Sequence, residues 1–332
     1  MQHSKKIRSR FYRYRRIIFT ILVGFLFITA IYCAAEIYRR IDHRSSFIKQ
    51  KGQLISIMET PIERHPHHTI FRIQLENDKG LEVNGLIKIP EPASGPYPAL
   101  VLLGGLRTGE RVIDYIENSG DVVLMALDYP YEGERENLST LAFLLKIPAI
   151  RRAIFNTVPC ALLAIDYLAQ RADIDRERII IVGGSVGALF VPAIASVEPR
   201  IAAAALLFGA GDLQSLLYAN IEMAPPIAGI ACWGGSVLAS PVEPLKYIDK
   251  ISPRPLFMLN GIDDPRIPEQ CSLLLHEKAK HPKTIRWISS GHLHVRTEAF
   301  QREVRRELEI WLVQNHFVSP DDFRKGPIRY EQ

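Results

Sequence analysis

Three short stretches of this chain carry residue types that can do chemistry together. The first is Gly183-Gly184-Ser185-Val186-Gly187, which follows the apolar run Ile179-Ile180-Ile181-Val182 and precedes an uncharged helical stretch. Small residues on both sides of a serine suit a sharp strand-to-helix turn, where backbones come too close for side chains. Such a turn pushes the hydroxyl out of the sheet. A serine hydroxyl becomes a nucleophile only when a base takes its proton, and the base needs an acid to orient it. Downstream, Leu256-Phe257-Met258-Leu259 runs into Asn260-Gly261-Ile262-Asp263-Asp264-Pro265, and Ile285-Arg286-Trp287-Ile288 runs into Ser289-Ser290-Gly291-His292. Both turns lie at the C-terminal ends of apolar runs, where parallel sheets bind ligands. They supply an acid, Asp263 or Asp264, and a base, His292. His276, inside a helical run, and His281, before a proline, are poorer bases, and His316 lies beyond the last helix.

The elements around these turns alternate. Ala99–Leu103, Val122–Leu127, Ile179–Val182, Ile201–Phe208, Pro255–Asn260 and Thr284–Ile288 read as buried strands, with helices at Val158–Gln170 and Glu303–Val313. Continuous apolar strands alternating with helices predict a mostly parallel, doubly wound α/β sheet. Thr69–Leu75 and Leu81–Ile89, joined by Asn77-Asp78-Lys79-Gly80, predict an antiparallel hairpin before it. Residues 211–252 contain no strand pattern and predict a helical or irregular cap over the site. A hydrolytic serine also needs backbone N–H groups aimed at the developing oxyanion. Val186 follows the serine, and Gly104-Gly105-Leu106 follows the first core strand.

These motifs resemble the α/β-hydrolase superfamily, in its dienelactone hydrolase-like and prolyl oligopeptidase-like esterase branches. The resemblance rests on Tyr97–Gly105, Asp173–Ile179, Gly183–Gly187, Arg254-Pro255-Leu256 with Gly261–Pro268, and Gly291-His292, and covers roughly residues 69–316. It implies Ser185 as nucleophile, Asp264 as acid and His292 as base, with Leu106 and Val186 as oxyanion donors. Asp264 is preferred to Asp263 because the family's acid lies three residues after the glycine. Two positions depart from the pattern: Gly104 stands where the family has a histidine, which implies altered loop packing, and Ala188 stands where it has a glycine. The implied activity is cleavage of a small-molecule ester or thioester through an acyl-enzyme, with no metal or organic cofactor. Acyl transfer, a non-catalytic binding module and a peptidase or amidase are the alternatives.

The chain has 332 residues, 47% hydrophobic and 23% charged, a globular composition without repeats. Its net charge of +5 arises at one end: removing Lys5, Lys6, Arg8, Arg10, Arg13, Arg15 and Arg16 leaves −2, so nothing points to nucleic acid. Residues 17–35 follow without a charge, about 28 Å of helix and close to the thickness of a bilayer core. The expected layout is a basic cytoplasmic tail at 1–16 and a single transmembrane signal-anchor at 17–35. A juxtamembrane helix or linker at 36–53, the hydrolase domain at 54–318 and a C-terminal tail at 319–332 follow. The basic flank predicts the N-terminus inside and the domain outside the cytoplasmic membrane, in a periplasm-like space; a cleaved signal peptide is the competing reading. Cys33 falls in the anchor, and Cys160, Cys232 and Cys271 lack metal spacing and are expected as buried thiols. His65, His67 and His68 have no carboxylate or cysteine to complete a metal site and are expected in an exposed loop.

Overall fold

A computed structural model describes residues 2–91, 95–116, 119–131, 140–292, 297–320 and 322, with side chains from Tyr14 onward and, in the long central helix, from Leu145. It divides into two units, residues 1–41 and 42–332. The expected C-terminal tail lies outside the described residues, apart from Ser319, Pro320 and Asp322, and so do the side chains of the basic residues up to Arg13.

The first unit is one helix, α1 (Gln2–Arg40). Its stretch from Tyr14 to Arg40 is long and apolar enough to cross a membrane, with a mean hydropathy of 2.5 over its most apolar part. The helix runs past Ala35 into what reads in sequence as a helix or linker. The rest of that polar stretch is also largely helical. Helix α2 (Arg44–Lys51) belongs to the second unit, because its one aromatic, Phe47, is fully buried with its ring 4.9 Å from that of Phe155.

The second unit is built on a nine-stranded sheet in the order β1-β2-β3-β5-β4-β6-β7-β8-β9. Strands β1 (Leu54–His65), β2 (His68–Asn77) and β3 (Glu82–Pro90) form an antiparallel meander, and β3 pairs antiparallel with β5 (Val123–Leu127). From β5 onward all pairs are parallel: β4 (Tyr97–Leu103), β6 (Ile174–Gly184), β7 (Ile201–Leu207), β8 (Leu256–Gly261) and β9 (Lys283–Ile288). Alternate residues of one strand serve two cores, as the two-residue period requires. Val101 and Leu103 pack on the face covered by α2, α3 (Thr140–Gln170) and α4 (Val186–Val197). Leu100 and Leu102 pack on the other, with the 3-10 turn Gly109–Tyr115 and α8 (Glu298–Gln314). Helix α7 (Glu269–Lys278) links β8 to β9.

Three elements differ from the sequence reading. Strand β1 is exposed along its length and contains Pro61, so it shows no alternation; it holds the sheet edge by pairing with β2 alone. Helix α3 begins well before Val158 and carries Pro148 and Pro159 inside it. Proline costs an interior helical bond, and here burial of Val158, Cys160–Ile165 and Leu168 compensates. The polar stretch Asp173–Arg178 is not a loop, since β6 already starts at Ile174, opposite Tyr97. The segment 211–252 has no strand, as expected. It holds α5 (Leu213–Ala219), α6 (Pro225–Ala239) and three short 3-10 turns.

Candidate active site

Ser185 sits between β6 and α4 with φ 53° and ψ −114°. A non-glycine residue at positive φ costs on the order of 1–3 kcal/mol and persists only where its surroundings dictate it. The Ser185 N–H donates to Leu207 O at 2.9 Å, and Ala188 N–H donates back to Ser185 O at 3.0 Å, so both sides of the turn are tied. The first helical residue after the serine is Val186. The loop after β4 meets this turn: a Cβ on Gly187 would lie 2.0 Å from Leu103 O and 2.9 Å from Gly104 O. Leu106, two residues farther along, is half exposed at the rim of that loop.

The other two turns close on the same point. His292 Nε2 lies 2.8 Å from Ser185 Oγ, and His292 Nδ1 lies 2.8 Å from Asp264 Oδ2. A carboxylate only accepts, so Nδ1 carries the proton and Nε2 is the acceptor for the serine hydroxyl. The Asp264 side chain is 3% exposed. Its second oxygen, Oδ1, accepts from the N–H groups of Arg266 (2.8 Å) and Ile267 (3.1 Å), so the turn after β8 fixes the carboxylate plane. Asp263 is exposed and uses its backbone N–H on Ser290 O at 3.1 Å, which joins the acid turn to the base turn. The ambiguity between the two aspartates is thus geometric: Asp264 points at the histidine.

Supporting residues appear that no sequence pattern marks. Phe208, at φ 58°, donates its N–H to Leu259 O at 2.6 Å and sets its ring edge-on to His292, 5.9 Å between centroids. Left-handed backbone at a phenylalanine has no sequence signature. Tyr129 donates its hydroxyl to Gly104 O under the β4 loop. Gly104 is tight in its own way: a Cβ there would lie 2.6 Å from both Gly109 O and Thr108 Oγ1, so residues 105–109 fold over the space a histidine side chain would need. The methyl of Ala188 faces a glycine, since a Cβ on Gly209 would sit 3.4 Å from it.

Behind the acid turn lies a buried relay. His276 Nε2 bonds Asn260 Oδ1 at 3.0 Å, while Asn260 Nδ2 donates to Gly209 O and to Ser272 Oγ. The poorer base of the sequence reading is therefore structural. Burial, with Lys283 nearby, lowers its pKa to about 4. A buried histidine with a lowered pKa binds its proton more readily once unfolded, so stability falls as pH drops from about 6.5 towards 4. Lys283 Nζ, bound to His276 O and Ala279 O, is the cation facing this ring's helix. We expect His276→Asn to flatten the acid limb of the Tm-versus-pH curve between pH 4 and 6.5. An unchanged limb sinks this assignment.

His65 and His68 stack at the β1–β2 turn with ring centroids 4.5 Å apart, and burial beside Lys88 takes His68 to a pKa of about 4. Among the described residues no cluster of three histidine, cysteine or carboxylate side chains has the arrangement for a metal. Cys160, Cys232 and Cys271 are buried free thiols.

Comparison with known proteins fits this architecture. Residues 156–316, from α3 through the base turn and α8, match the model of the prolyl oligopeptidase family. The uncharacterized protein YfhR of Escherichia coli O157:H7 is 28% identical over 128 residues, 39% of this chain and 42% of that protein. The matched region therefore spans less than half of that relative. Among solved structures, acetyl xylan esterase from Paenibacillus sp. R4 superposes with a TM-score of 0.59 at 16% identity, covering 81% of this chain and 92% of the esterase. A protein described as "Putative Dienelactone Hydrolase" from Klebsiella pneumoniae subsp. pneumoniae superposes with a TM-score of 0.52 at 15% identity, covering 79% of this chain and 100% of that one. The chain has the α/β-hydrolase fold, and its residues 156–316, which carry Ser185, Asp264 and His292, are similar to the prolyl oligopeptidase family.

Proposed function

We propose that this chain is a membrane-anchored serine hydrolase that cleaves a carboxylic ester or thioester. The carrying observation is the continuous hydrogen-bond row from Ser185 Oγ through His292 to a buried Asp264. Ser185 Oγ attacks the carbonyl carbon while His292 Nε2 takes its proton, and Asp264 stabilises the imidazolium. The N–H groups of Val186 and Leu106 receive the oxyanion. The tetrahedral intermediate collapses, and His292 returns the proton to the departing alcohol or thiol. Water, deprotonated by His292, then attacks the acyl-enzyme and releases the acid and Ser185. The reaction draws on side chains and backbone alone.

Two features favour an ester over a peptide. Residues 211–252 between β7 and β8 form a short segment of two helices and three 3-10 turns, and the Paenibacillus fold neighbour is described as an acetyl xylan esterase. Helix α1 supplies the anchor in this reading, with its basic end in the cytoplasm and the hydrolase unit on the other side of the membrane.

The direct test is a fluorophosphonate probe on the full chain in detergent. The expected adduct maps by mass spectrometry to the peptide containing Ser185. A folded protein that takes no label, or takes it at another serine, refutes the proposal.

A further inference from the structure

We infer that the cap helix α6 docks on the surface of the bilayer that α1 enters, and that the substrate is an ester of a membrane lipid or similar amphiphile. The inference rests on the serine-hydrolase reading and on α1 as the anchor, and it adds where the acyl group comes from.

The first ground is the surface of the cap. No charged residue occurs between Glu222 and Glu243. Helix α6 buries Ala228, Cys232 and Ser236 but turns Ile227 and Ile230 outward, 61% and 73% exposed, and Met223 just before it is also exposed. An uncharged helix that shows isoleucines to solvent at i and i+3 has an apolar face without a protein neighbour, and such patches mark interaction sites.

The second ground is where the chain leaves the anchor. Only Ile41, Asp42 and His43 separate α1 from α2. The five helical residues from the expected end of the anchor at Ala35 to Arg40 add about 8 Å, and these three reach no farther than about 10 Å, whatever direction they take, so α2 starts within about 18 Å of the membrane. At their end the His43 N–H donates to Tyr247 Oη at 3.3 Å, and Tyr247 Oη donates to Pro241 O at 2.9 Å, in the turn that closes α6. The base of the cap helix is therefore two hydrogen bonds from the residue where the tether ends. From Pro241 to Ile230 is about 16 Å along a helix. An anchored domain on so short a tether is held against the bilayer, so the partner within reach of this face is lipid. Apolar side chains on an interfacial helix bind by burial in the acyl boundary.

The third ground links this face to the site. A cavity of about 330 Å³ lies between α5 and α6, bounded by Ser215, Tyr218, Gly229, Cys232 and Pro268, and none of its lining side chains is charged. Pro268 follows the turn that holds Asp264, and Asn220 at the end of α5 donates to Arg266 O in that turn at 2.7 Å. An uncharged recess between the docking helix and the acid turn suits an acyl chain.

The experiment uses the full chain reconstituted in phosphatidylcholine–phosphatidylglycerol vesicles. An environment-sensitive fluorophore is placed on Ile230→Cys, with Cys33→Ser to remove the exposed native thiol, and on Arg306→Cys of α8 as a distant control. Doxyl-labelled phosphatidylcholine is expected to quench position 230 at least about twofold more than position 306, as interfacial burial requires. Equal quenching overturns the docking, as does a change at 230 that depends on protein concentration and not on doxyl lipid, which is the result for a second copy. Catalysis is read separately, as the ratio of rates on a long-chain ester embedded in the vesicles and on a soluble short-chain ester. Ile227→Asp with Ile230→Asp is expected to lower that ratio about tenfold, through lost apolar burial. An unchanged ratio overturns the lipid-ester assignment. Quenching needs no turnover, so a chain that docks but takes no fluorophosphonate refutes the serine-hydrolase reading alone.

Discussion

Asp264→Asn is expected to lower kcat/KM on a soluble p-nitrophenyl ester by roughly a thousand- to ten-thousandfold, approaching but not matching the loss in Ser185→Ala. The size follows from how the carboxylate is held. Oδ1 accepts two backbone N–H groups, from Arg266 and Ile267, and Oδ2 accepts His292 Nδ1–H. An asparagine has one oxygen, and the two N–H donors claim it. Its NH2 must then face Nδ1, which forces the proton onto Nε2 and aims N–H at Ser185 Oγ. The base is present but in the wrong tautomer. Asp263→Asn, on an exposed neighbour, is expected to stay within about twofold of wild type, as surface changes do. Steady-state kinetics on the two variants, with Tm measured alongside, decides between them. Comparable losses in both, or a small loss in Asp264→Asn, would show that the row of hydrogen bonds does not carry the reaction.

The ends of strands were the legible part of this site. Ser185, the two aspartates and His292 each follow an apolar run and a glycine-bearing turn, and that pattern exists in one dimension. Which aspartate faces the histidine does not, because adjacent residues on a turn differ only in direction. The resemblance chose Asp264, and Asp264 is the aspartate whose Oδ2 lies 2.8 Å from His292 Nδ1. Phe208 and Tyr129 were illegible for a related reason. Their roles depend on a left-handed backbone and on a hydroxyl reaching Gly104 O across the sheet, and neither leaves a periodic trace.

The fold divides in the same way. Buried parallel strands are continuous apolar runs, and β4, β5, β7, β8 and the second half of β6 stood out in the sequence. Strand β1 lies at the edge, where one neighbour and solvent ask for no alternation. Helix α2 packs through a single aromatic, so its polar neighbours left helix and linker undivided in the sequence. In α3 two prolines hid a helix that burial sustains. In each case tertiary packing outweighed a local signal.

One of the closest backbone approaches among the described residues lies directly beside the Ser185 turn, and it gives the second large prediction. Gly187→Ala is expected to destabilise the domain by more than about 3 kcal/mol, a fall in Tm of at least roughly 6 °C for a domain of this size. The new methyl would lie 2.0 Å from Leu103 O and 2.6 Å from Leu103 C, both backbone atoms. Leu103 ends β4, which is paired on both sides, with β5 and with β6, so it cannot withdraw without breaking two ladders. Helix α4 must move instead, and it carries Val186 and the turn of Ser185 with it. Any variant that folds is therefore expected to lose fluorophosphonate labelling as well as stability. Position 188, one residue on, tolerates a methyl because Gly209 faces it. Gly234→Ala in α6, where a Cβ would meet nothing within 4 Å, is the matched control. That change is expected to add about 0.5–1 kcal/mol through helix propensity and to keep labelling intact. Thermal unfolding and labelling of the two alanine variants separate a steric requirement at the turn from a general sensitivity to lost glycines; wild-type Tm and labelling in Gly187→Ala would mean that β4 and α4 are not in contact at the site.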